Sequence, residues 1–343
     1  MELKHIRVAF SLLFVASMVL SGCSSSSATQ GSSNAPGGTA PPATGNCKIG
    51  VVVLELTGSP FQIALAASAK KIGESLGCTV SVQAPQDFTA YDQQVNIVEN
   101  LVSQKVDFIF LDAADPKALV PAVEAAVAAG VPVVNVDNMV DSDKVLTYVG
   151  TDNEKAAEDA AQWLVTKLNG KGTIALLTGE AGTPNEVLRT EGYKKILAQN
   201  PGIQIVSTQN AHWSSDGGLT AMENVLQTNP QGVDAVIAEN DDSAAGVIQA
   251  VKNANLPKRP IIIGFDGTPG GIAAVKDGSQ DATVGQYPNR MAQIAIRIGL
   301  AYTSTFKPVQ GMVPQSLFSM NIDTGATIVT KDNVDQYVTD SSS

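Results

Sequence analysis

Carboxylate and amide side chains follow short apolar runs at several separate places in this 343-residue chain. Asp137 and Asn138 follow one run, Asn240 follows another, and Asp266 and Gln286 follow two more. Such groups can bond neighbouring hydroxyls, and a buried site built for hydroxyls rejects molecules that lack them. Taken singly, Asn240 and Asp266 are equally well explained as helix N-caps. The joint pattern favours a site for a small polyhydroxylated molecule.

Aromatic and further polar candidates occupy the same kind of position. Glu55, Ser59 and Phe61 follow the first apolar run, and Trp213 follows the seventh. An aromatic ring offers a flat apolar face on which the C–H face of a sugar ring can pack. Small-ligand pockets combine a few placed polar groups with apolar walls of this kind.

The apolar runs alternate with Ala-rich stretches that have helical spacing. Runs of this length are typical of buried parallel strands, and the stretches between them are long enough for crossover helices. Ligands of open α/β sheets bind beyond the carboxyl ends of the strands, where the candidate residues lie. The predicted strands are residues 49–54, 80–84, 108–111, 131–136, 145–149, 173–177, 203–207, 233–238, 260–265 and 282–285.

Turn chemistry supports these boundaries. Four times, a residue that caps helices well is followed by a proline suited to the first helical position. The four pairs are Ser59-Pro60, Asp115-Pro116, Thr183-Pro184 and Thr268-Pro269.

The number of units predicts the fold class. About ten βα units exceed one comfortable open sheet, so the sequence favours an α/β protein with two doubly wound parallel-sheet domains that divide near residues 150–152. A single (β/α)₈ barrel is the alternative, but its count differs and the chain beyond Tyr302 departs from the repeat.

The amino-terminal residues predict export. Lys4 and Arg7 precede an apolar run over residues 8–20, which is short for a membrane span and typical of a signal peptide. Leu20-Ser21-Gly22-Cys23 then resembles a bacterial lipobox, which predicts a signal peptide over 1–22 and a lipid anchor on Cys23. An ordinary signal peptide with an incidental cysteine is the alternative. Residues 23–47, rich in Ser, Gly and Pro, would form a flexible tether.

Charge and composition argue against several functions. The net charge of −11 argues against binding to nucleic acid or to an anionic membrane surface. The G-x-S-x-G pattern at 73–77 lies between a predicted helix and a strand, which is the reverse of a nucleophile elbow. His212 is the one histidine beyond the signal, so a zinc site has no ligand set. We expect no enzyme activity, no cofactor and no metal.

Cys47 and Cys78 each precede an apolar run. If the two strands are neighbours in a parallel sheet, the two cysteines start side by side and can form a disulfide outside the cytoplasm. Two separate thiols are the alternative.

Short motifs spread over residues 48–325 resemble those of the ribose-binding family of periplasmic binding proteins. They are AEND at 238–241, GFDGTP at 264–269, Val136-Asp137, YVGTDN at 148–153, ATVGQ at 282–286, and Gly182-Thr183 followed by Arg189 and Gly192-Tyr193. The resemblance implies that Phe61 is a stacking wall of the first domain and that Trp213 takes the aromatic position of the second. It also implies hydroxyl-binding roles for Asp137, Asn240, Asp266 and Gln286.

The sequence departs from the ribose pattern at three positions. Asn138 stands where the ribose binder has an arginine, the family's second ligand arginine falls near Val187, and Gln62 replaces a second phenylalanine. Two missing arginines argue against ribose itself. Asn138, Asn185 and Glu55 would compensate, which implies a different pentose, hexose or polyol.

The same resemblance implies a chain that crosses between its domains three times. The first domain would take residues 48–151 and about 287–315, and the second 152–286 and about 316–340. The domains would close over the ligand by a hinge motion.

The function implied is that of a monomeric, extracytoplasmic solute-binding protein. It would be held by its lipid anchor on the outer face of the cell membrane or in the periplasm, and would deliver a sugar or polyol to the transmembrane subunits of an ABC importer. A sensor that reports a sugar or furanosyl signal to a membrane receptor is the alternative. Sugar-responsive repressors share the fold, but they carry a DNA-binding headpiece that the signal and tether here replace.

Overall fold

The computed structural model describes residues 47–305 and 321–342 of the chain. The predicted signal peptide, Cys23 and the tether up to residue 46 lie outside the described residues. The strands are β1 (Lys48–Val52), β2 (Thr79–Gln83), β3 (Phe108–Leu111), β4 (Val133–Val136), β5 (Thr147–Gly150), β6 (Gly172–Thr178), β7 (Ile203–Asn210), β8 (Ala235–Ala238), β9 (Ile261–Asp266), β10 (Ala282–Gly285), β11 (Asn321–Asp323) and β12 (Thr327–Thr330). The helices are α1 (Pro60–Ser75), α2 (Tyr91–Ser103), α3 (Val120–Ala128), α4 (Asn153–Lys167), α5 (Pro184–Ala198), α6 (Ser215–Thr228), α7 (Asp241–Ala254), α8 (Pro269–Asp277), α9 (Pro288–Thr305) and α10 (Val334–Ser341).

The strands form two six-stranded sheets. The first sheet has the order β11-β5-β4-β3-β1-β2 and the second the order β12-β10-β9-β8-β6-β7. Neighbouring strands are parallel except β10 and β12, which are antiparallel. The predicted architecture of two doubly wound sheets is confirmed, and the barrel alternative is wrong. We call the unit around each sheet the first and the second domain.

The chain passes between the sheets at three places. It leaves the first sheet after Gly150, returns after Gly285 through α9, which packs on α1, and leaves again between Asp323 and Thr327. Because β11 pairs with β5, the third crossing falls after Asp323, later than the expected boundary near residue 316.

Helices cover both faces of each sheet, which explains the nearly continuous apolar strands. Ile49 and Val51 of β1 pack in one apolar cluster with residues of α1 and α9. Val52, on the opposite face, packs with Val98 and Leu101 of α2 in another cluster. A central strand therefore needs apolar residues at consecutive positions.

Two of the strands expected to be buried are edge strands instead. β2 is exposed or partly exposed throughout, and in β7 exposed and partly buried positions alternate after the buried Ile203. Both lie at the end of a sheet, where one side of the strand lacks a neighbour.

The predicted helix starts are confirmed at three of the four Pro sites, since α1, α5 and α8 begin at Pro60, Pro184 and Pro269, and a side-chain cap bond is present at two of them. Ser59 accepts a hydrogen bond from Gln62 N, and Thr268 accepts one from Gly271 N. Thr183 precedes α5 without a side-chain cap, and Asp115 caps a turn that comes before α3 begins.

A disulfide joins Cys47 and Cys78 in the structure. The bond lies where β1 and β2 begin, since Lys48 is the register partner of Thr79. It closes a loop that contains β1 and α1.

Candidate functional site

A cleft lies at the carboxyl ends of strands from both sheets. It contains about 410 Å³ of space between atoms, part of it open to solvent. The first domain lines it with Leu54, Ser59, Phe61, Gln62, Phe88, Asp137 and Asn138, and the second with Thr183, Asn185, Arg189, Trp213, Asn240, Asp266 and Gln286.

The cleft gathers nine of the ten residues singled out from the sequence; the exception is Glu55. The Glu55 carboxylate lies beside Gly58 in the loop before α1, where burial raises its pKa. Glu55 therefore does not line the cleft in this structure, and its expected role there stays a prediction.

The first-domain wall is held by two carboxyl groups and two amides. Gln62 Nε2 donates to Asp112 Oδ2 at 2.8 Å and to Asp137 Oδ2 at 3.4 Å. Asn138 Nδ2 donates to Asp112 Oδ1 and to Asp137 Oδ2, both at 3.1 Å. Gln62 Oε1 accepts from the backbone N–H of Leu54 at 3.1 Å. Both ends of the Gln62 amide are thus bonded to protein, so Gln62 organises the wall.

Asp112 was missed by the sequence reasoning. It directly follows β3 and is fully buried one layer beneath the cleft. Its position after an apolar run is the same signal that identified Asp137. The search for polar residues directly after predicted strands could therefore have found Asp112 as well.

The aromatic part of this wall comes from two separate segments. Phe61 lies at the start of α1 and is buried, and Phe88 lies in the loop between β2 and α2. Phe88 therefore gives the wall a second aromatic ring although Gln62 occupies the position expected for one. Because Phe88 follows no apolar run directly, nothing in the strand pattern pointed to it.

Arg189 is the centre of the second-domain wall. Its guanidinium carbon lies 3.6 Å from the centroid of the Phe265 ring and 5.3 Å from that of Trp213. Nη1 donates to the backbone oxygen of Glu239 at 2.5 Å and lies 3.5 Å from Asp266 Oδ1. Since Arg189 is only 3 % exposed, water screens these contacts little.

The second-domain wall contains an arginine although the family's second ligand arginine was expected to be missing. The position of that arginine falls near Val187, which is 39 % exposed and does not line the cleft. Arg189, two residues later in α5, points into the cleft from the opposite side of the helix. The cleft therefore holds a guanidinium group although Val187 itself is not an arginine.

Three polar residues complete the second wall. Gln286 Nε2 donates to Asp266 Oδ1 at 2.8 Å. Within the described residues, Gln286 Oε1 is buried without a hydrogen-bond partner, so it is available as an acceptor for a ligand hydroxyl. Asn240 caps α7 by accepting from Ser243 N and also donates to Trp213 O, both at 3.0 Å. Capping and a place in the cleft are compatible for Asn240.

Three residues of the cleft have a left-handed backbone. The φ angles are 59° for Asp137, 55° for Trp213 and 105° for Asp266. Such conformations are unfavourable for residues other than glycine and persist where surrounding structure enforces them, commonly at functional sites.

A chain of hydrogen bonds connects the two walls. Asn185 Nδ2 donates to Asp137 Oδ1 at 3.1 Å, Asn153 Nδ2 donates to Asn185 Oδ1 at 3.0 Å, and Arg189 Nε donates to Asn153 Oδ1 at 2.8 Å. Asn153 is the first residue of α4, directly after the first crossing. The two domains are thus bonded to each other through the cleft.

Burial raises the pKa of the acids in the second wall. Asp266 has a pKa well above its ordinary value, although the charge of Arg189 opposes the shift. Burial raises the pKa of Glu239 to about 7. Glu239 Oε1 accepts from Thr190 Oγ1 at 2.6 Å and Oε2 accepts from Gly179 N at 3.0 Å.

Residues 47–305 and 321–342 contain neither a metal-binding cluster nor a membrane-spanning helix. No group of three or more His, Cys, Asp or Glu side chains there is arranged to hold a metal ion. In the same residues, no helix has the length and apolar character needed to cross a membrane.

The chain matches the periplasmic binding protein domain family over residues 49–306, and it belongs to that family. It is 35 % identical over 258 residues to the ribose import binding protein of Bacillus subtilis (strain 168), which covers 74 % of this chain and 82 % of that protein. A periplasmic solute binding protein of an ABC transporter from Actinobacillus succinogenes 130z, solved with D-allose, shares 28 % identity at a TM-score of 0.77 and covers 85 % of this chain and 100 % of that one. The corresponding protein from Bacillus halodurans C-125, solved with myo-inositol, shares 26 % identity at a TM-score of 0.77 and covers 86 % and 98 %.

These matches confirm the resemblance drawn from the motifs. The protein is a member of a family of extracytoplasmic solute-binding proteins and is not an enzyme.

Proposed function

We propose that this protein captures a small neutral sugar or polyol in the cleft and delivers it to an ABC importer. One observation carries the proposal: side chains that can bond hydroxyls or stack on a ring line one cleft, from two domains. The proposed ligand residues are Ser59, Phe61, Asp137, Asn138, Asn185, Trp213, Asn240, Asp266 and Gln286.

The chemistry of the walls supports a polyhydroxylated ligand. Asp137 and Asp266 offer carboxylate acceptors on opposite walls, Arg189 offers donors, and Phe61 and Trp213 offer apolar faces. The ligands of the relatives described above, namely ribose, D-allose and myo-inositol, are all neutral molecules with several hydroxyl groups.

A thermal-shift screen tests the ligand class. The protein without its signal is heated with D-ribose, D-allose, D-fucose, L-arabinose, xylitol and myo-inositol, and with amino acids and inorganic phosphate as controls. A ligand that binds the folded state raises the melting temperature by mass action. We expect at least one sugar or polyol to do so, with its Kd then measured by calorimetry. A shift with amino acids or phosphate only would refute the proposal.

The domain limits follow from the three crossings. We infer that residues 48–151, α9 and β11 move as the first domain and that residues 152–286 and 327–341 move as the second. Ligand binding would close them about the crossings, with the Asn185–Asp137 bond made in the closed form. Small-angle scattering should give a smaller radius of gyration with saturating ligand than without it; equal radii would contradict closure on binding.

Attachment through Cys23 is a further part of the proposal. An acyl chain on Cys23 and a tether up to residue 47 would hold a monomer near its importer. Mass spectrometry of the membrane fraction should find a lipid on the peptide that begins at Cys23, and a Cys23→Ser variant should lack it.

The expected monomeric state has its own test. Light scattering measures the molar mass of the protein without its signal peptide, and we expect the mass of one chain. Ligand uptake that persists without this protein would favour the sensor role.

A further inference from the structure

Two buried carboxyl groups lie side by side beneath the first-domain wall. Asp112 and Asp137 follow the ends of the neighbouring parallel strands β3 and β4. Their side chains are 0 % and 2 % exposed. The amide nitrogens of Gln62 and Asn138 each contact both acids. Since one nitrogen atom reaches both acids in each case, the two carboxyl groups are close neighbours.

Little positive charge is available to this pair. Among the described residues, the cation that faces it is Arg189 from α5, which acts on Asp137 and is also shared with Asp266. From β5, the Tyr148 hydroxyl donates to the backbone oxygen of Asp137 at 2.7 Å. The Asp323 carboxylate of β11 lies on the far side, near Tyr148. Two buried negative charges at this spacing would repel each other without compensation.

The hydrogen bonds favour one charge over two. Donors to a carboxylate lower its pKa, and Asp112 has three: Gln62 Nε2 and both the backbone and side-chain nitrogens of Asn138. The side-chain donors are the ones that Asp137 also uses, so a second ionisation gains no new donor from Gln62 or Asn138. Burial, and then the charge of Asp137, raise the pKa of Asp112 well above its ordinary value.

We propose that Asp112 and Asp137 hold one proton between them, carried by Asp112, and that Asp112 in its acid form is a positioning residue for the first-domain wall. The acid O–H donates to Asp137, which remains the anion that Asn185 and Arg189 face. The N–H groups of Gln62 and Asn138 then point toward the acids, which fixes the orientation of both amides at the cleft. The inference concerns the protein without ligand and does not rest on the proposed function.

Carbon-13 NMR of aspartate carboxyl groups tests the proton directly. In protein without ligand at about pH 7, the ordinary range in which an Asp is ionised, one acid-type resonance should disappear in Asp112→Asn and should shift in Asp137→Asn, which removes the carboxylate that accepts its proton. The matched control, Asp277→Asn at the exposed end of α8, should leave that resonance in place. A spectrum in which Asp112→Asn removes no acid-type resonance would overturn the shared proton.

The pH dependence of unfolding tests the positioning role. An acid whose folded pKa is raised loses stability as the pH rises from its unfolded pKa through its folded pKa. Asn at 112 carries no charge at any pH, so it lacks this loss. Its melting temperature should therefore exceed that of the wild type at about pH 8 and approach it at about pH 4.

An Asp112→Ala variant separates positioning from simple packing. It removes the acceptor of Gln62 and Asn138, so it should melt below Asp112→Asn at every pH. Equal melting of the Ala and Asn variants, or a lower melting temperature of Asp112→Asn than of the wild type at about pH 8, would refute the positioning role.

Discussion

The two walls of the cleft achieve polarity in different ways. The first-domain wall is a network of acids and amides whose polar atoms bond mainly to one another, centred on Asp112 and Asp137. The second-domain wall is built around the cation of Arg189, which packs on Phe265 and Trp213 and faces Asp266. Acid and amide are nearly isosteric, so the first wall should tolerate their exchange. The second wall has no such substitute for its cation.

Removal of the Arg189 charge should have the largest effect on stability, because the second wall depends on this one cation. Arg189→Met should destabilise folding by about 3–5 kcal/mol, because Asp266 is left as an uncompensated buried acid and the Glu239 oxygen loses its donor. Denaturant unfolding followed by circular dichroism measures the loss. The control is Arg259→Met, which breaks a partly exposed pair with Asp281 and should cost below about 1 kcal/mol. Equal losses would mean that the second wall is not organised by its arginine.

Removal of the disulfide should affect one domain only. Cys47→Ser with Cys78→Ser releases a loop of 31 residues, and the entropy of its closure predicts a loss of about 3–4 kcal/mol. Hydrogen exchange should show weaker protection in β1 and β2, with β6 and β8 unchanged. The double variant should also be insensitive to reductant. Equal weakening of both domains would show that they unfold as one unit.

Truncation of one aromatic residue in each wall compares how much the two walls contribute to ligand affinity. Trp213→Ala and Phe61→Ala should each weaken binding of the sugar identified in the screen by ~1–3 kcal/mol if the rings stack on it. Calorimetry measures the loss. Phe110→Leu, a buried change in β3 outside the cleft, is the control for indirect effects. An unchanged affinity in either Ala variant would place that ring outside the ligand contact.

The stability of the second wall should also depend on pH, through Glu239. Burial raises the pKa of Glu239 to about 7, so this acid loses stability as the pH rises from its unfolded pKa, near 4, to its folded pKa. Glu239→Gln can still accept from Gly179 N and donate to Thr190 Oγ1. It should be more stable than the wild type by roughly 3 kcal/mol at about pH 8 and equal to it near pH 4. A constant difference across this range would show that Glu239 does not titrate there.

The strands were predictable because hydrophobic burial leaves a direct trace in the sequence. Strands that are covered on both faces need consecutive apolar residues, as in β3, where all four residues are buried. β11 left no such trace, because its three residues are exposed or partly exposed and it belongs to the sheet only through pairing with β5.

Site residues at strand ends were predictable from the sequence. Site residues whose place depends on the rotation of a helix or on the path of a loop were not. Asp137, Asp266 and Gln286 follow strands or end them, so topology alone brings them together. To predict that Arg189 faces the cleft, one must know which side of α5 is turned toward it. To predict the same for Phe88, one must know the path of the loop between β2 and α2. The left-handed backbone of Asp266 reflects tertiary constraint, which no residue pattern records.

The Cys47–Cys78 bond also decides how the molecule carries mechanical load. A pull applied ahead of Cys47, as an attachment at Cys23 would apply, reaches the rest of the chain through the sulfur atoms as well as through the backbone. The intervening loop has its ends tied together, so tension cannot extend it. That loop contains α1 with Ser59, Phe61 and Gln62. The cleft residues nearest in sequence to the proposed anchor are therefore shielded from the force that the anchor transmits.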